Sequence, residues 1–198
     1  MNYLARLDQL DYRRSLATPV ARRVVLLTGQ SSFRSSRLTG DQLQLLRGID
    51  HATPIELGFP FHPDFDRHEE EPGLLAASFR NTRQFLWTFK PQKPVARALQ
   101  PLFTHTAEAL FIITGSCGLQ LLNSAWPFLE RRPEQRLQVV AIGPASLYDQ
   151  LRPAAIRGRR DLWSRLLYKG PITAHCDCGH LDYWRSQEVR EWVKAACV

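Results

Sequence analysis

Ala109-Leu110-Phe111-Ile112-Ile113-Thr114-Gly115-Ser116-Cys117-Gly118-Leu119-Gln120-Leu121-Leu122 is the stretch whose reading decides the fold. Its unbroken apolar start is the pattern of a strand buried on both faces, as in a parallel sheet. The run then gives way to small residues and resumes with leucines at helical spacing, so the chain turns sharply from strand to helix at Ser116. Small residues two before and two after the serine let the backbone take a strained turn. The following helix points its amide N–H groups and positive dipole end at charge forming there. Thr114 stands where such turns usually carry glycine. Ser116 is therefore the candidate nucleophile. Cys117 fits less well, because Leu119 is not a small residue, and it reads as a packed thiol.

Working outward, Arg23-Val24-Val25-Leu26-Leu27 reads as a second buried strand that runs into the polar turn Thr28-Gly29-Gln30-Ser31-Ser32. Thr39 is placed to cap a helix through Leu46, and residues 51–58 read as a strand entering the loop Phe59-Pro60-Phe61-His62-Pro63. Helical spacing covers 73–89 and 95–106, broken by Pro91 and Pro94. A strand over Leu137–Ile142 ends at Gly143-Pro144. Residues 148–168 read as partly helical, with Trp163, Leu166 and Leu167 on one face, and no strand is evident between Ile142 and Ile172. A short strand over 170–175, with His175 buried inside it, precedes a closing amphipathic helix over 186–197 that turns Val189, Trp192, Val193 and Ala196 inward. Residues 1–21 read as an N-terminal extension or outer element.

Strands alternating with helices predict an α/β fold, a mostly parallel sheet flanked by helices in one domain spanning 1–198. The turns at Gly29, Phe59, Ser116, Gly143 and Cys178 would then open on one edge, outside the carboxyl ends of the strands, where ligands bind in such sheets.

Length, composition and charge bound the function. A chain of 198 residues with 44% hydrophobic and 23% charged residues suits one soluble globular core. Lacking a membrane-length apolar stretch or the apolar centre of a secretory leader, it is expected in the cytoplasm. The four cysteines, Cys117, Cys176, Cys178 and Cys197, read as thiols rather than a disulfide framework. Lys and Arg outnumber Asp and Glu by 26 to 19, a net charge of +7 that favours anionic partners. No zinc-finger spacing or basic helix points to nucleic acid. Coenzyme A or an acyl carrier protein suits a compact enzyme of this charge.

In their order along the chain these motifs resemble the α/β-hydrolase superfamily, over residues 23–197. Val24 to Gln30 is similar to the strand and turn that supply half of that family's oxyanion hole, Thr114 to Gly118 to its nucleophile elbow, and Cys178-Gly179-His180-Leu181 to the loop presenting its catalytic histidine. The resemblance implies Ser116 as nucleophile, His180 as general base and then acid, and the amides of Cys117 and Gln30 as the oxyanion hole, with no cofactor. It implies a serine esterase or thioesterase acting through an acyl-enzyme. For the triad acid it points to Asp149, after the strand ending at Ile142, with Asp161 and Asp177 as alternatives. The shortness of the chain leaves little or no room for a lid between Pro144 and Leu162. Phe59, Phe61, Phe65, Trp126, Phe128 and Tyr148 are candidates to line an acyl pocket. Two other readings stand beside this one. The chain could be a hydrolase-like scaffold without turnover, or His175-Cys176-Asp177-Cys178-Gly179-His180, dense in soft ligands, could hold a structural metal.

Overall fold

A computed structural model of the chain describes residues 3–29, 32–68, 74–147 and 150–198. Among the described residues six strands, all parallel, form one sheet in the order β2-β1-β3-β4-β5-β6. They are β1 (Val20–Thr28), β2 (Thr53–Pro54), β3 (Thr106–Gly115), β4 (Arg136–Ile142), β5 (Ala154–Gly158) and β6 (Ala174–Cys176). The helices before, between and after them are α1 (Tyr3–Asp8), α2 (Gly40–Arg47), α3 (Leu74–Trp87), α4 (Lys93–Thr104), α5 (Gly118–Ala125), α6 (Leu162–Leu167) and α7 (Gln187–Ala196). No helix among the described residues is long and apolar enough to cross a membrane.

The continuous apolar runs follow from burial on both faces of the central strands. Val25 and Leu27 of β1, with Leu110 and Ile112 of β3, pack toward α1, α4 and α5. Val24 and Leu26, with Phe111 and Ile113, face the other way onto Leu45 and Leu46 of α2 and Val189 and Val193 of α7. At α2, Thr39 Oγ1 accepts the Gln42 amide while Gln42 Oε1 accepts the Thr39 amide, a reciprocal cap that sets the helix start.

Two expectations are corrected. The strand read over 51–58 shortens to the two residues of β2 beside β1; Pro54 has no N–H to donate, which an edge strand tolerates. A strand does lie between Ile142 and Ile172, namely β5. Its five residues, Ala154-Ala155-Ile156-Arg157-Gly158, carry too little apolar signal to announce a buried strand, and an arginine interrupts them. In α6, Trp163 and Leu166 point to solvent, because Ser164, Leu167 and Tyr168 form the inward side.

Candidate active site

The elbow is built where β3 ends and α5 begins. Ser116 has φ +51°, a left-handed conformation that a residue with a side chain adopts only when its surroundings impose it. The surroundings here come from the end of β4: the Ser116 amide donates to the Ile142 carbonyl at 3.2 Å, and the Ser116 carbonyl accepts the Ala145 amide at 2.9 Å. Thr114, where glycine is usual, is still in β3 and fully buried, so its side chain sits in the sheet and does not obstruct the turn. Gly118 has no such freedom. A Cβ there would lie 1.9 Å from the Leu27 carbonyl oxygen, so α5 packs backbone to backbone against β1.

The first-turn amides of α5, whose N-cap is Cys117, have no preceding turn to accept them and point out of the helix end at which Ser116 turns. The turn after β1 closes on the same point, since a Cβ on Gly29 would lie 2.3 Å from Cys117 Sγ. Gln30, the other expected oxyanion donor, lies outside the described residues.

Ser116 Oγ stands 3.1 Å from Nε2 of His180. The loop after β6 delivers this histidine. Its Nδ1 donates to Oδ2 of Asp161 at 3.0 Å, which leaves Nε2 to accept the serine hydroxyl. Asp161 comes from the short turn between β5 and α6, where it caps the helix by accepting the Ser164 amide on Oδ1 at 2.9 Å. Its Oδ2 accepts a further hydrogen bond from the Tyr183 hydroxyl at 2.6 Å. Tyr183 in turn accepts the Gly158 amide at 2.8 Å and so ties the carboxylate to the end of β5.

The electrostatics follow from these contacts. Burial raises the Asp161 pKa, but hydrogen bonds from His180, the Ser164 amide and Tyr183 outweigh it, and the net shift is below the usual carboxylate value. Burial raises the Tyr183 phenol well above its ordinary value, and its bond to Asp161 adds to the shift, so it acts only as a neutral donor to that carboxylate. Burial also pushes the Cys117 thiol up to about 12, which keeps it out of the thiolate form that nucleophilic attack requires.

The acid beside His180 is thus Asp161, one of the three candidates. Asp149 and Tyr148 lie outside the described residues. Asp177 is exposed and pairs with Arg160 at 3.5 Å. His175 is exposed on the edge strand β6 rather than buried, while Cys176 beside it faces inward, as strand alternation requires. Cys176 and Cys178 are buried with their sulfurs 3.2 Å apart, and no grouping of three or more metal-ligating side chains occurs among the described residues. Phe59, Phe61 and Phe65 belong to the core on the α4 side and line no open surface; Trp126 packs half-buried against that core, and Phe128 is exposed. Tyr183 was not anticipated. An aromatic three residues past the histidine carries no motif, and only the approach of β5 reveals its role. No protein-family model matches the chain, and no curated protein matches it either.

Proposed function

We propose that the chain is a serine hydrolase of the α/β-hydrolase type that cleaves an ester or thioester through an acyl-enzyme. The observation that carries this reading is the Ser116–His180–Asp161 relay, with its 3.1 and 3.0 Å links, at a serine held in a left-handed turn. Its chain order, serine then acid then histidine, is the order used by α/β-hydrolases.

A serine hydroxyl is a weak nucleophile at neutral pH. As Ser116 Oγ attacks the substrate carbonyl, its proton passes to His180 Nε2, and Asp161 holds the ring and balances the imidazolium. The oxyanion forms against the Cys117 amide at the start of α5, with Gln30 assigned as the second donor; one such donor contributes about 10²–10³ in turnover. Collapse of the tetrahedral intermediate expels the alcohol or thiol, which takes the proton from His180. Water, deprotonated by the same nitrogen, then releases the acyl group and restores the serine.

The test is covalent. A fluorophosphonate is expected to add one phosphonyl group to the wild-type chain by mass spectrometry and none to Ser116→Ala. If the wild type is not labelled and leaves p-nitrophenyl esters and acyl-thioesters intact, the reading is overturned and a scaffold role replaces it.

A further inference from the structure

We propose that the outward face of α6 docks this protein on an anionic lipid surface, so that its substrates are acyl esters presented at such a surface; the substrate part of this inference rests on the hydrolase reading, whereas the docking part does not. Leu162, Trp163 and Leu166 of α6 are 65%, 61% and 65% exposed. Spaced i, i+1 and i+4, they share one side of the helix. Leu181, next to His180, is 66% exposed, and Leu147 is 55% exposed just past Ala145, whose amide holds the Ser116 carbonyl. Exposed leucines therefore follow both Asp161 and His180 in sequence, and a third stands two residues past the amide that holds the Ser116 carbonyl.

The second observation is charge. Arg152, Arg159, Arg160, Arg165 and Lys169 are all exposed in the same segment. Arg160 meets Asp177, but Arg159, Arg165 and Lys169 make no ion pair among the described residues: Arg165 and Lys169 donate to the carbonyls of Arg159 and Arg165. The only described acidic residue between 150 and 170 is Asp161, which is fully buried and committed to His180. Apolar side chains that include a tryptophan, flanked by Arg159, Arg165 and Lys169 with no carboxylate partner among the described residues, match a bilayer interface. There the apolar groups enter the acyl boundary while the cations meet headgroup phosphates. A soluble anion would reward the cations alone and leave the leucines in water.

Geometry links the surface to the site. Asp161 is both the cap of α6 and the partner of His180, so a membrane that receives α6 lies against the helix whose cap holds His180. Docking would present the ester group of a lipid to Ser116 without the lipid leaving the interface.

The experiment is sedimentation with vesicles of pure phosphatidylcholine or of phosphatidylcholine containing about 30% phosphatidylglycerol, using Ser116→Ala so that no turnover occurs. Ser116→Ala is expected to sediment with the anionic vesicles and to be released as salt rises from about 0.1 to 1 M, where the screening length falls from about 10 to 3 Å. Arg159→Glu and Arg165→Glu are each expected to weaken binding about fivefold or more, the factor for removing one cation near the surface. The triple variant Leu162→Ser, Trp163→Ser, Leu166→Ser is expected to lose retention while keeping the parent melting temperature, since it alters exposed positions. Equal retention on neutral vesicles, or full retention of the triple variant, overturns the proposal. Capture by an acidic acyl carrier protein with no vesicle binding also overturns it, in favour of a protein partner. Vesicle binding without any wild-type esterase activity would keep the surface and remove the hydrolase reading; esterase activity without vesicle binding would do the reverse.

Discussion

The two oxygens of Asp161 serve different elements: Oδ1 caps α6 and Oδ2 holds His180 and Tyr183. Replacing Asp161 with asparagine keeps the shape but puts an amide where His180 needs an acceptor, which selects the wrong tautomer. A loss of about 10⁴ in kcat is expected, measured on a soluble ester with the labelling stoichiometry as control. The hydroxyl of Tyr183 touches neither Ser116 nor a substrate position, so it positions the relay. Tyr183→Phe leaves the Gly158 amide without its acceptor and removes one donor from Asp161. It is expected to cost about 1–3 kcal/mol in urea unfolding, with a fall in kcat rather than a rise in KM. His175→Ala, by contrast, removes an exposed ring and is expected to shift stability by no more than about 0.5 kcal/mol. At this scale Ser116 and His180 were legible because each sits in a recognisable turn. The choice among Asp149, Asp161 and Asp177 was not, since a carboxylate in a polar loop looks the same whether it caps a helix, pairs with an arginine or orients a histidine.

Among the elements, the β3–α5 junction depends on a contact that admits no side chain. A methyl group at Gly118 would fall 1.9 Å from the Leu27 carbonyl oxygen, so Gly118→Ala must push α5 off β1. At least about 3 kcal/mol is expected from denaturant unfolding, the upper end for overpacking, together with loss of turnover as the Cys117 amide moves. The long apolar runs of β1 and β3 were plain in the sequence because burial on both faces demands them. β5 escaped notice for a physical reason: alanines and glycine suffice in a five-residue strand, and Arg157 is accommodated by donating to the Ser164 hydroxyl and the Tyr168 carbonyl. Missing β5 also hid the reason to prefer Asp161 among the candidate carboxylates, since it follows the end of that strand by three residues. Helix α6 faces solvent with Trp163 and Leu166 because capping by Asp161 fixes its rotation, with Ser164 inward.

For the whole molecule, the ionised Asp161 links the site to stability. Its carboxyl titrates lower in the folded than in the unfolded chain, so its contribution is complete above the unfolded value of about 4 and is lost as pH falls through the lower folded value. The stability difference between wild type and Asp161→Asn is therefore expected to stay level from about pH 7 to 5 and to narrow below about pH 4, as read from urea midpoints. The sequence by itself determined the α/β class, the parallel central strands, the strained turn at Ser116 and the basic charge, because periodicity, glycine placement and composition are local properties. Only the tertiary structure decided which carboxylate meets His180, that Tyr183 supports it, that His175 lies outside and that an apolar face of α6 stays in water. Each of these depends on how segments far apart in the chain meet, 19 to 64 residues in the contacts of the site, which local pattern does not encode.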